Sequence, residues 1–200
     1  MPFPSPPWQL RGDLWLSLFR VPTGATDAVA GGWYGVAFVD YRDGSVLTYR
    51  ELVVARAVRG GVVPRLTITA IWVDSEPSRD GGRALWAIPK ELAELQVVLG
   101  RAGPVAHTTW SADIGRAPVA AARFISCPPP PLLRTPYSLT VLQHRPESGE
   151  PVLARASGSA KALPCLARWD FAVDGPLAWL RGRTPVGSLR LSDFRMTFGG

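Results

Sequence analysis

The chain is poor in the residues most used for metal binding and nucleophilic catalysis. Among 200 residues it has two histidines, His107 and His144, and two cysteines, Cys127 and Cys165. So few leave no support for a His-based metal cluster or a His–Cys pair. The cysteines make no metal-ligand spacing and no disulfide framework, so a reduced, cytoplasmic protein is the default expectation. Nowhere does an apolar run reach the ~18 residues of a transmembrane helix, and no membrane partner is expected. The opening MPFPSPPWQL has no basic patch ahead of an apolar stretch and does not read as a signal peptide. Long charge runs are absent too. The net charge is +6, with a pI of about 10.0, but the basic residues are scattered from Arg11 to Arg195 with no run of three. That pattern describes a solvated basic surface, and no nucleic-acid partner is expected. No GxGxxG, P-loop or GxSxG string occurs.

Lysine is the other scarce residue. Of 22 basic residues only two are Lys, Lys90 and Lys161, against 20 Arg. Where arginine is the habitual cation, a retained lysine invites a role arginine cannot fill. Lysine can lose its proton and attack a carbonyl, whereas arginine stays protonated.

What is present is ordinary globular material, 46% hydrophobic and 19% charged. The length leads us to expect one domain over residues 1–200, with a core able to bury an enzyme site. Gly and Pro, 20 each, are spread along the chain and mark many turns. Alternating or β-branched segments predict strands over 13–20, 33–40, 46–58 and 65–74, with Asp43-Gly44 as a hairpin signal and Gly60-Gly61 as a turn. Further strands are expected over 106–112, 118–126, 136–144, 151–157, 166–173 and 188–198, with the proline run 128–131 as a connector. A helix is expected over 89–97, PKELAELQV, with Pro89 at its start and Glu91 in its first turn. A second short helix is expected over 176–181. Many strands with one or two short helices predict a mainly β, antiparallel fold, closed or strongly curved.

The informative stretch is 72–92, WVDSEPSRDGGRALWAIPKEL. Lys90 follows the apolar run Ala84 to Pro89 and would open the expected helix. Burial and the positive end of a helix both disfavour an ammonium, so a depressed pKa is expected. An ordinary lysine, pKa about 10.4, is less than ~0.1% neutral at pH 7, and half-neutrality needs a drop of about 3 to 4 units. A buried site can supply that; an exposed helix start cannot.

The same stretch resembles the active-site segment of the acetoacetate decarboxylase superfamily. The shared pattern is Glu76-Pro77, Gly82-Arg83, the apolar Leu85 to Ile88, then Pro89-Lys90 and Leu92. Tyr49-Arg50-Glu51, with the carboxylate 39 residues before Lys90, matches a Tyr-x-Glu context in that family. Pro7-Trp8-Gln9-Leu10 resembles its N-terminal segment. The resemblance implies a curved antiparallel sheet closing into a cone or barrel, with Lys90 in its narrow interior. It implies Lys90 as the Schiff-base nucleophile and Glu51 as its catalytic partner; read from its strand alone, Glu51 would be a surface carboxylate. Trp86 is the expected substrate-lining aromatic, and Arg83 is expected to be structural, paired with a nearby carboxylate. The implied reaction is a carbon–carbon lyase step on a small-molecule β-keto acid, with no metal or organic cofactor. The resemblance also allows a homo-oligomer.

The sequence departs from the family pattern in three places. Glu91 stands where acetoacetate decarboxylases proper carry a second lysine. Val36 falls where a second family glutamate would lie. The family's N-terminal arginine is matched by Arg11 only approximately, and by Asp13 without gaps. These differences keep two other readings open. One is Schiff-base aldol or dehydration chemistry on a larger keto acid; the other is a non-catalytic, small-molecule-binding β-barrel.

Overall fold

The computed structural model describes residues 3–24, 29–58, 65–126 and 133–200. Strand β1, Trp8–Val21, sets the pattern of the molecule. Trp15, Phe19 and Val21 enter one apolar core, while Leu14, Leu16 and Leu18 face a cavity on the other side. Successive side chains of a strand point to opposite faces, so β1 separates two apolar compartments. β2 (Gly32–Tyr41) and β3 (Tyr49–Val58) follow, joined across the expected Asp43-Gly44 turn, where Gly44 takes a φ of +89°. β4 (Arg65–Val73) pairs with β3. The Gly60-Gly61 turn, the 128–131 prolines and Cys127 lie outside the described residues.

Helix α1 (Glu76–Trp86) leads into the short β5 (Lys90–Leu92) and then β6 (Glu94–Ala102). β7 (Val105–Ile114), β8 (Ala117–Ser126), β9 (Thr135–His144), β10 (Pro151–Pro164), β11 (Leu166–Phe171) and β12 (Gly187–Phe198) complete the strands. A single 3-10 turn, Ala178–Leu180, stands where the second helix was expected.

Seven strands close into a barrel in the order β3-β2-β1-β12-β10-β9-β4, and β4 returns to β3. Every ladder between these seven strands is antiparallel except β4 beside β9, which is parallel over Arg65↔Thr140 and Leu66↔Val141. The closed, mainly β fold is therefore the one expected. A second antiparallel sheet, β11-β8-β7-β6, packs on the outer face of β1–β3. Phe38 is the hinge pin of that contact, stacked on Trp110 at 5.0 Å and on Trp169 at 5.3 Å. Stacked aromatic pairs of this kind contribute about 0.5–1.5 kcal/mol each beyond burial. No helix among the described residues is long and apolar enough to cross a membrane.

The helix over 89–97 is not formed. That stretch is strand: Lys90–Leu92 pairs with β4 in parallel, and Glu94 onward pairs with β7. Leu95 and Val97 pack into the core between barrel and second sheet, a spacing of two that suits a strand. Ladder pairing and burial override the local helix signals of Pro89 and Glu91. The helix lies earlier, where Ser75 caps the N–H of Ser78 and Pro77 occupies the first turn. Gly81 and Gly82 conceal it, because each glycine lowers helix propensity by about 1 kcal/mol relative to Ala.

Helix α1 ends at Ala87, which adopts the left-handed conformation (φ +54°, ψ +27°) and donates its N–H to the Arg83 carbonyl, while the Ile88 N–H donates to the Gly82 carbonyl. Glycine is the residue that occupies this position without steric penalty. Ala87→Gly should therefore raise the unfolding free energy by about 1 kcal/mol, measured by urea denaturation. A loss of stability would show that the Ala87 methyl packing outweighs the backbone strain.

Candidate active site

The barrel interior closes over an ion pair. Tyr49 and Glu51 are two residues apart on β3 and share its inner face, while Tyr41 is the direct cross-strand partner of Tyr49 on β2. Lys90 opens β5, opposite Ile71 of β4. The turn after α1 thus brings the lysine to the carboxylate across the β3–β4 ladder. Lys90 and Glu51 are 4% and 6% exposed, and Nζ lies 3.0 Å from Glu51 Oε2.

Lys90 Nζ also donates to Ser78 Oγ at 2.9 Å and to Tyr49 Oη at 3.3 Å, so all three ammonium protons have partners. The Tyr41 hydroxyl donates to the other Glu51 oxygen at 3.3 Å. The Tyr49 ring lies under the ammonium at 4.9 Å, and Tyr41 stacks on Tyr49 at 4.4 Å. Trp8 and Trp86 meet edge to face at 4.9 Å and wall the same end. The cavity these groups bound has a volume of about 150 Å³, and Lys90 and Glu51 are the charged side chains in its lining. Its other walls include Ile71, Ile88, Val141 and Phe198.

The two glycines of α1 make this packing fit. A Cβ on Gly81 would come within 2.6 Å of the Trp8 ring, and one on Gly82 within 2.8 Å of Lys90 Cδ. Their place in SRDGGR is explained by close approach to the site, at the expense of helix propensity.

Burial pushes the Lys90 pKa down, as the sequence led us to expect. The Glu51 carboxylate and the Tyr49 phenol outweigh it, and the net direction is up. The expected depression is corrected on that ground, and the expected helix N-terminus under Lys90 is absent. Burial, with Glu51 next, holds the Tyr41 phenol well above its ordinary value. Burial also raises Tyr49, against the opposing pull of the Lys90 ammonium. Both phenols are therefore neutral donors at physiological pH. The raised Lys90 pKa contributes stability that is present at neutral pH and is lost as alkaline pH rises through it.

The expected trio of Lys90, Glu51 and Trp86 is brought together in one cavity. Arg83 donates from Nε to the Lys90 carbonyl at 2.6 Å and pairs with Glu91, the carboxylate partner expected for it. Glu91 therefore points outward and does not face the Lys90 amine. Val36 lies in the core between barrel and second sheet, outside the cavity. Asp13 lies outside the cavity lining as well, bound by Arg42 at 2.6 Å and Arg190 at 3.3 Å. Sequence reasoning missed Ser78, Tyr41 and Trp8 as site residues. The glycine pair was the available signal for Ser78, since it marks a segment in tight contact. Among the described residues no three His, Cys, Asp or Glu side chains are grouped to hold a metal ion.

A buried amine with a carboxylate beside it, inside a closed β-barrel, defines a class of site suited to covalent work on a carbonyl compound. The sequence profile for acetoacetate decarboxylase (ADC) matches residues 28–162, and the chain belongs to that family. No curated protein sequence matches it. Solved structures do match in fold. The enduracididine biosynthesis enzyme MppR, with HEPES buffer bound, aligns over 100% of this chain and 88% of its own, with 18% identity and a TM-score of 0.70. Acetoacetate decarboxylase from Legionella pneumophila aligns over 98% and 87%, with 14% identity and a TM-score of 0.68. An acetoacetate decarboxylase-like enzyme from Sphingomonas wittichii aligns over 100% and 93%, with 14% identity and a TM-score of 0.69.

Glu51→Gln removes the anion that raises the Lys90 pKa and leaves burial unopposed, so the pKa should move down. With two lysines in the chain, 13Cε-labelled lysine gives two NMR titration curves, assigned by Lys161→Ala. An unchanged or higher Lys90 pKa in Glu51→Gln would show that Glu51 does not set it. Gly82→Ala should disturb the same curve by displacing the lysine stem from its carboxylate.

Proposed function

We propose that the protein is a Schiff-base lyase that decarboxylates a β-keto acid, with Lys90 as nucleophile and Glu51 as its proton partner. The observation that carries this reading is the buried Lys90–Glu51 pair at 3.0 Å in an otherwise uncharged cavity. In the resting site the amine is protonated. Transfer of its proton to Glu51 turns a buried ion pair into two neutral groups, a change that low dielectric surroundings favour relative to water. The freed amine attacks the ketone carbon. Glu51 returns the proton to the carbinolamine oxygen, water leaves, and an iminium forms.

The iminium nitrogen then accepts the electron pair of the bond to the carboxylate. Carbon dioxide leaves, an enamine remains, and its protonation at carbon and hydrolysis release the ketone and Lys90. The apolar walls support this direction. A substrate carboxylate there loses water and, among the described residues, finds no cation in the lining other than the iminium, whereas carbon dioxide leaves without charge. Neutral Tyr41 and Tyr49 can donate hydrogen bonds to Glu51 and to the carbinolamine oxygen. Trp86 shapes the substrate end. The lysine serves as electron sink, so the scheme calls on no metal or organic cofactor, and a single domain suffices for it.

Aldol or dehydration chemistry through the same lysine is the second reading. MppR has been captured with the condensation product of pyruvate and imidazole 4-carboxaldehyde, so this fold accommodates such a product. Glu91 facing away from Lys90, in place of a neighbouring cation, is the feature of this chain that favours it.

Borohydride reduction in the presence of β-keto acids should give a mass adduct on Lys90 that is absent in Lys90→Ala. Glu51→Gln should lower kcat by about 10²–10⁴-fold, the range for general acid–base groups. Carbon dioxide release supports decarboxylation, and a condensed product with an added aldehyde supports the second reading. No adduct between about pH 5 and 9 would overturn both and leave a non-catalytic binding barrel.

A further inference from the structure

The cavity around Lys90 does not end at the ion pair. Leu14, Tyr41, Val53, Ile68, Leu139 and Val141 border it and also border a second space of about 450 Å³ inside the same barrel. That volume falls in the range of pockets for drug-sized ligands and exceeds the need of a four-carbon acid. At its far end Leu18 and Trp33 are 40% and 46% exposed, which marks a mouth to solvent.

Among the described residues, no charged side chain lines this vestibule. The polar groups that touch it are engaged or held neutral. The Tyr41 hydroxyl donates to Glu51, and Tyr34 turns its ring to the outer core, where its hydroxyl donates to the Ala30 carbonyl at 2.6 Å. Burial pushes the Tyr137 phenol up to about 12. A polar substituent on a substrate would find few partners here.

The space is kept open by small residues. Gly35, Ala37, Ala55 and Ala57 line it from β2 and β3, and Gly35 and Ala55 are direct cross-strand partners. Strand positions favour β-branched and aromatic side chains, and the interior of a small barrel is ordinarily filled by them. Leu16 and Leu18 of the neighbouring β1 reach over Gly35, where a Cβ would lie 3.1 Å from Leu16 Cδ1, and the short Ala37, Ala55 and Ala57 side chains leave room beside them for a flexible apolar group.

We infer that this vestibule holds the hydrocarbon tail of the substrate, so that the β-keto acid offered to Lys90 is a medium- or long-chain 3-oxo acid. The inference rests on the reading of Lys90 as a Schiff-base lysine. From Leu14, beside the reacting end, to Leu18 at the mouth is four residues of strand, or about 13 Å, room for a tail of roughly ten carbons. The tail's methylenes leave water in the vestibule, and the reacting carbonyl is thereby held at the narrow end.

The test compares 3-oxo acids of four, six, eight and ten carbons. The value of kcat/KM should rise about fourfold for each methylene buried. Ala55→Phe, which fills the vestibule, should cut the ten-carbon to four-carbon ratio by at least about tenfold. Leu18→Glu, at the exposed mouth where folding is not at risk, should lower the same ratio. Binding of 2-undecanol against 2-pentanol to the wild-type protein, measured by calorimetry, reads the tail without the chemistry, because an alcohol forms no imine. Tighter binding of 2-undecanol, lost in Ala55→Phe, supports the vestibule even if no Schiff base is trapped. Trapping of the four-carbon acid on Lys90 with a flat chain-length profile leaves the lysine reading standing and overturns the vestibule. Equal binding of the two alcohols overturns it as well.

Discussion

A lysine ammonium and a glutamate carboxylate, 3.0 Å apart and almost wholly out of water, impose their requirements on the rest of this fold. Removing one partner from such a pair leaves a buried charge uncompensated and typically costs about 3–5 kcal/mol. The surroundings answer that demand atom by atom. Ser78 and Tyr49 take the remaining ammonium protons, and the Tyr41 hydroxyl donates to the second Glu51 oxygen. These partners come from α1, β2 and β3, so the pair ties the helix to the barrel wall. The glycine pair in α1 is the steric counterpart of the same demand, since it lets the helix approach the lysine stem.

The barrel makes the pair possible by excluding water on two sides. Inside, apolar side chains of β1, β4, β9 and β12 enclose the cavity. Outside, the second sheet covers β1–β3 through Trp110, Phe124 and Phe171. A strand buried on both faces keeps its hydrogen bonds in the ladder and offers no route for solvent. The ion pair therefore sits in surroundings where proton transfer within it, and the loss of a substrate carboxylate as a neutral gas, are both assisted by poor solvation of charge. The proposed chemistry uses that single property twice.

Much of this was legible in the sequence. The strands of both halves follow from alternation and turn residues, because those signals are local and the ladders reinforce them. The scarcity of lysine drew attention to Lys90 and Lys161, and the resemblance of the Glu76-to-Leu92 and Tyr49-Arg50-Glu51 segments to the family pattern picked out Lys90 and Glu51, whereas the strand pattern alone left Glu51 a surface carboxylate. The helix was misplaced for a definable reason. Gly81 and Gly82 read as helix breakers but serve as contact points for Trp8 and Lys90. The segment 89–97 reads as a helix start, yet β4 and β7 recruit it into ladders.

The sequence by itself determined the alternating pattern that yields a closed β fold, and it determined that one lysine and one carboxylate were the groups to examine. Only the tertiary structure decided which neighbours they have. The direction of the Lys90 pKa depends on whether burial or the opposing carboxylate dominates, and that balance is a matter of distance between segments far apart in the chain. The inner wall of Gly35, Ala37, Ala55 and Ala57 is likewise unremarkable residue by residue. It becomes a vestibule when two strands pair in one register and the barrel closes around them, because an empty volume is a property of the walls taken together.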